Sequence, residues 1–180
     1  MKFFTKQWYR LMRNSDKMSQ KSIDEYGKYI QKYDVCTMNI VRQLHLHDVR
    51  LIDVKWDNDT LYLSFDNTHT QATIQGVIFY RVSLRKDEGI AVGDSWEYEE
   101  VLLENGKFHI GVLFETPCGI PRELELIAES VSFVESPEKI EFFARLQDLL
   151  SEYKVSNFSG REKVLAHIRE CLKNEEENRK

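Results

Sequence analysis

Trp96-Glu97-Tyr98-Glu99-Glu100-Val101-Leu102-Leu103-Glu104-Asn105-Gly106-Lys107-Phe108-His109-Ile110-Gly111-Val112-Leu113-Phe114 is the stretch that decides the fold. Asn105-Gly106 is the strongest turn signal in the chain, because a two-residue type I′ hairpin needs positive φ at both central positions. After it Phe108, Ile110, Val112 and Phe114 recur at every second residue, the period of a strand with one buried face. Before it Trp96 to Leu103 reads as the partner strand. A regular pleat puts Trp96, Tyr98 and Glu100 on one face and Glu97 and Glu99 on the other.

Working outward, the alternation recurs. Ile52, Val54 and Trp56 alternate with Asp53 and Lys55, Asp57-Asn58-Asp59 makes a polar turn, and Leu61, Leu63 and Phe65 follow. A third stretch runs from Ala72 through Ile74 to Tyr80. A polar segment with Gly89 and Gly93 leads to Trp96, and the loop Thr116 to Arg122, with Pro117, Gly119 and Pro121, precedes a last strand from Leu124 to Phe133. The expectation is an antiparallel meander of about six strands with one wet face.

Helices flank this sheet. Ser22-Ile23-Asp24-Glu25 reads as a capping box, and Ile23, Tyr26, Ile30, Tyr33, Ile40, Val41 and Leu44 recur near helical spacing. They predict one long helix over 23–45, with a shorter one over 5–13. Ser136-Pro137-Glu138 supplies a hydroxyl cap, a proline where no amide is needed and an acid at the positive helix end. Phe142, Leu146, Leu149 and Tyr153 share a face after it. A second capping box, Ser159-Gly160-Arg161-Glu162, precedes the stripe Val164, Leu165, Ile168, Cys171 and Leu172. The fold class expected is therefore α+β: an α+β domain over 1–135, its sheet at 49–133 packed on the long helix, then a C-terminal helical hairpin over 136–180 packed on the same domain.

The 180 residues are 42% hydrophobic and 31% charged, enough for one compact core. The longest continuous apolar run, Ile110 to Phe114, is far below the roughly 18 residues of a membrane span. MKFFTKQWYR lacks the apolar core of a secretory signal, so a cytoplasmic protein is expected. Cys36, Cys118 and Cys171 are odd in number and far apart, giving neither a disulfide framework nor a CxxC motif, and read as reduced thiols. The net charge of −5 hides a dipole. Residues 1–22 carry six bases against one acid, and residues 87–152 carry sixteen acids against four bases. Such a segment repels phosphate and favours a basic partner, which argues against nucleic acid.

Motifs of nucleotide binding, the GxSxG elbow, HExxH and zinc-spaced cysteines are absent. Two groups carry what chemistry there is. His45-Leu46-His47-Asp48 sets two imidazoles and a carboxylate together at a helix-to-strand junction; His45, His47 and Asp48 are candidate ligands for a divalent metal such as zinc. The plain alternative is a structural hinge, since the helix dipole favours the histidines and turn geometry the aspartate. Trp96, Glu97, Tyr98, Glu99 and Glu100 place aromatics among carboxylates, a candidate surface for a basic protein.

The opening Met1-Lys2-Phe3-Phe4-Thr5-Lys6-Gln7-Trp8-Tyr9, the Leu46-His47-Asp48 turn and Trp96-Glu97-Tyr98-Glu99-Glu100 followed by Gly106-Lys107-Phe108 resemble an uncharacterised bacterial family, domain of unknown function 4085, found chiefly in Gram-positive bacteria. The resemblance covers roughly residues 1–133 and implies no activity. In type, a small acidic α+β protein is also similar to immunity proteins that neutralise toxins.

Two functions follow as expectations. The first is a non-enzymatic protein-binding module whose acidic surface engages a basic protein, with no cofactor, nucleic acid or membrane. The second is a metal-dependent hydrolase built on His45, His47 and Asp48. Homodimerisation through the C-terminal hairpin is compatible with either.

Overall fold

The computed structural model describes residues 1–12, 16–70 and 72–152. The chain divides into two compact units, Met1–Glu135 and Ser136–Lys180. In the first, α1 (Lys6–Met12), α2 (Asp16–Ile30) and α3 (Val35–Leu44) precede β1 (Val49–Asp57), β2 (Thr60–Asp66), β3 (Ile74–Tyr80), β4 (Ser83–Asp87), β5 (Ser95–Glu104), β6 (Lys107–Glu115), β7 (Pro121–Ala128) and β8 (Ser130–Glu135). All eight strands join one antiparallel sheet in the order β4-β7-β6-β5-β1-β2-β3-β8. The chain is α+β, but the six-strand meander behind one long helix is overturned.

The helix expected over 23–45 is two helices, broken at Gln31–Asp34. Asp34 restarts the chain as α3 by accepting the Thr37 amide at 2.8 Å. At the other end α2 runs back through Ser22 to Asp16, so the Ser22–Glu25 box lies inside a helix instead of starting one. The break has a structural use. β1 pairs with β5 only at Val49↔Trp96 and Arg50↔Ser95, which leaves the rest of that β5 edge without a strand. Tyr33 fills it, donating its hydroxyl to the Val101 carbonyl and accepting the Leu103 amide, both at 2.9 Å. Tyr26 accepts the Val101 amide at 2.8 Å. Each buried backbone group left unpaired there would cost about 1–3 kcal/mol.

The meander fails at a corner. The strand expected over Leu124–Phe133 is two strands: β7 pairs with β6 and β4, and β8 pairs with β3. At the corner Arg81 adopts φ +51°, its guanidinium lies 2.8 Å from the Glu129 carboxylate, and the Glu129 amide bonds the Tyr80 carbonyl at 3.0 Å. β4, Ser-Leu-Arg-Lys-Asp, carries no apolar alternation because it is an exposed edge, where charge discourages pairing with other chains.

The Asn105-Gly106 turn forms as its residues dictate, at φ +51° and +73°, between Glu104 and Lys107. Two apolar clusters sandwich β5 and β6. In the larger, Trp96 (0% exposed) packs edge-on against Phe65 and Phe114, centroids 5.6 and 5.4 Å away, joining β2, β5 and β6. In the smaller, Phe3, Phe4, Trp8, Tyr9 and Tyr26 gather around Leu113.

In the second unit α4 (Pro137–Glu152) starts at the expected cap, the Ile140 amide bonding the Ser136 carbonyl at 3.1 Å. The expected second helix of the hairpin, after Ser159, lies outside the described residues.

Candidate functional site

The site grows from one irregularity in β5. Trp96 pairs with Phe114 but Tyr98 pairs with Leu113, so Glu97 is an extra, bulged residue. The bulge reverses the pleat, and the one face expected for Trp96, Tyr98 and Glu100 does not exist. Trp96 points into the larger cluster, while Tyr98 and Glu100 point to the smaller one. Glu99 returns to the side of Trp96 and accepts its indole N–H at 3.1 Å. Of the five candidate partner-binding residues, Trp96, Glu99 (6%) and Glu100 (3%) are buried. Glu97 and Tyr98 remain partly exposed.

Opposite the bulge, α3 ends at Leu44 and β1 begins at Val49, so the His45–Asp48 tetrad is the connection. Leu46 and Val49 are buried and pin it, and Asp48 takes φ +65° while its amide bonds the Trp96 carbonyl at 2.9 Å. The tight turn throws His47 against the bulge. Its Nδ1 lies 2.6 Å from the Glu97 carbonyl. A carbonyl only accepts, so Nδ1 carries the hydrogen, and Nε2 is the ring nitrogen left to bind a metal. Nε2 is 3.9 Å from Asp48 Oδ2, and ligand atoms of His47, Asp48 and Glu97 all lie within 4.8 Å of one another. Zinc bonds of about 2.0–2.2 Å set tetrahedral ligand pairs roughly 3.4 Å apart, so the three side chains would have to draw together to share an ion.

His45, the third candidate ligand, goes elsewhere. Its Nδ1 is 2.9 Å from Glu99 Oε1, and its ring stacks parallel to that of His47 with centroids 6.3 Å apart. The hydrogen bond and charge of Glu99 raise the imidazole above its ordinary value, against burial, which lowers it. The structure therefore brings His47 and Asp48 together with Glu97, and His45 with Glu99. Neither glutamate is near the tetrad in sequence, and the bulge that delivers them carries no motif.

The surroundings complete the site. The Tyr9 hydroxyl donates to the Glu115 carboxylate and lies 3.5 Å from that of Glu97. The Tyr98 ring packs 5.3 Å from His47; burial first, then the charges of Glu97, Asp48 and Glu99, push its phenol pKa up.

Elsewhere several acids of the block are engaged by donors and cations of the fold. Glu100 accepts the backbone amides of Lys2, Phe3 and Phe4, the last two at 2.6 and 3.3 Å. Glu125 pairs with the Met1 ammonium at 2.8 Å, Glu88 with Lys6 at 2.6 Å, and Glu123 with Lys86 and the Lys6 amide. Asp94 pairs with Arg122, and Glu129 with Arg81 and Lys107.

Among the described residues no helix is long and apolar enough to cross a membrane. The family model described as "Protein of unknown function (DUF4085)" matches residues 1–120, which holds α1 to β6, the tetrad and the bulge. No curated protein and no solved structure matches the chain. The chain belongs to that family.

Proposed function

We propose that this member of a family of unknown function is a metal-dependent hydrolase holding a divalent ion such as zinc on His47 Nε2 and the carboxylates of Asp48 and Glu97. The observation that carries this reading is the convergence of those three ligands, with the His47 tautomer set by the Glu97 carbonyl. Three protein ligands would leave a position open, and the chemistry that such an ion would supply there is Lewis-acid activation for hydrolysis. His45, oriented by Glu99 with its ring stacked 6.3 Å from that of His47, would be the group that passes a proton to or from the substrate. The exposed, unpaired Cys36 and Cys118 agree with work in the reducing cytoplasm.

The test is turnover of p-nitrophenyl esters and phosphate esters by chelated protein with zinc or manganese restored. The reading expects metal-dependent turnover that His45→Gln lowers about 100-fold while retaining the metal. Equal turnover with and without metal, or none on any ester, contradicts it.

A second reading, a non-enzymatic module that engages a basic protein, draws on the same surface. Asp48 and Glu97 would there receive a lysine or arginine in place of the ion. Partner capture that metal leaves unchanged and Asp48→Asn abolishes would favour it.

A further inference from the structure

Between α2, α3 and β5, next to the metal cluster, lies a recess of about 260 Å³ lined by Tyr26, Ile30, Met38, Val41, Arg42, His45 and Glu99. Its size is below the roughly 300–1,000 Å³ of sites for drug-sized ligands, so it fits a small molecule. Ile30, Met38 and Val41 supply apolar wall. Arg42 makes no ion pair among the described residues, although sixteen acids crowd residues 87–152. The one carboxylate in the wall is already engaged, Glu99 Oε1 by His45 and Oε2 by the Trp96 indole. Tyr26, 8% exposed, accepts the Val101 amide, and its own hydrogen finds no acceptor among the described residues. Burial holds that phenol in its protonated form.

We infer that this recess binds a small organic monoanion with a short apolar tail: Arg42 takes the charge, the Tyr26 hydroxyl donates to an oxygen, and Ile30, Met38 and Val41 enclose the tail. A guanidinium without an ion pair and a hydroxyl whose hydrogen is still to be donated, on residues that line an apolar hollow, select an anion over a neutral or cationic molecule of the same length. The inference deepens the proposed function and rests on it for one point only, that the occupant is a substrate. The His45 ring is wall to the recess and lies 6.3 Å from that of His47, so the recess adjoins the proposed metal ligands.

The experiment titrates the full chain, ¹⁵N-labelled and stripped of metal by a chelator, with hexanoate, hexyl phosphate, hexanol and hexylamine, following amide chemical shifts. Saturable shifts centred on Ile30, Met38, Arg42 and His45 are expected with one or both anions. Hexanol should bind about tenfold more weakly and hexylamine not at all. Arg42→Ala, a change at an exposed side chain, should bring the anions down to the level of hexanol. Met38→Trp, which fills the hollow, should abolish binding of all of them. Hexanoate against hexyl phosphate tells a carboxylate head from a phosphate. Shifts centred elsewhere, equal binding of hexylamine, or anion affinity unchanged in Arg42→Ala overturns the inference. Because metal is absent throughout, failure of the metal site leaves these shifts intact, and failure of the recess leaves metal binding intact.

Discussion

Glu97 and Glu100 lie three residues apart on β5 and meet opposite fates. Glu100 is buried and clasped by three backbone amides of the N-terminal segment, while Glu97 sits on a bulge, at the surface, among His47, Asp48 and Tyr9. The same carboxylate is a structural clamp in one place and a candidate ligand in the other. What separates them is the kind of neighbour: backbone amides surround Glu100, whereas the side chains of His47, Asp48 and Tyr9 stand beside Glu97. A count of charges along the chain does not see this, and the excess of acids over 87–152 does not translate into an equally acidic surface.

The contrast can be broken from the clamp side. Glu100→Ala leaves the amides of Lys2, Phe3 and Phe4 without their acceptor, and a loss of about 3 kcal/mol is expected in urea unfolding. A loss under about 0.5 kcal/mol would mean that the segment is held by its aromatic rings alone. Gly111→Ala attacks the same contact sterically, because a Cβ there would stand 2.5 Å from Met1 Cγ. About 1–2 kcal/mol is expected, measured in the same way.

A pH series sharpens the comparison. Burial would raise Glu123 and Glu88, but Lys86 and the Lys6 amide for the first, and Lys6, the Glu123 amide and Lys86 for the second, hold both below their ordinary value of 4.5. A depressed carboxylate lends stability that is present above the unfolded value and lost as pH falls through the lower folded one. The urea midpoint should therefore drop between about pH 5 and pH 3, less steeply in Glu123→Gln. Equal slopes in the two proteins would deny Glu123 that role. The smaller effect belongs to the less buried member of the pair: Glu97→Ala should cost less stability than Glu100→Ala in the same urea unfolding.

Much of the local structure was legible in the sequence. Alternation located β1, β2, β3 and β6, Asn105-Gly106 fixed the hairpin, Ser136-Pro137 fixed the start of α4, and His45–Asp48 proved to be a helix-to-strand connection. The rest depends on distant partners. The break before α3 answers to the open edge of β5, some 70 residues away, and no local pattern announces a tyrosine hydroxyl capping Leu103. β4 hides because an edge strand needs no apolar face. The corner at Glu129 lies inside a run that reads as one strand. The site followed the same rule: His45, His47 and Asp48 could be picked out as one group and Glu97 and Glu99 as another, whereas the meeting of His47 with Glu97 and of His45 with Glu99, across about 50 residues at a single bulge, could not.

The most direct test is zinc titration of chelated protein against a competing chromophoric chelator, for wild type, His47→Ala and Glu97→Gln. One zinc per chain in the wild type, lost in His47→Ala and weakened at least about tenfold in Glu97→Gln, is the expected result. A wild type that takes up no zinc, or a His47→Ala protein that binds it as well as the parent, contradicts the account.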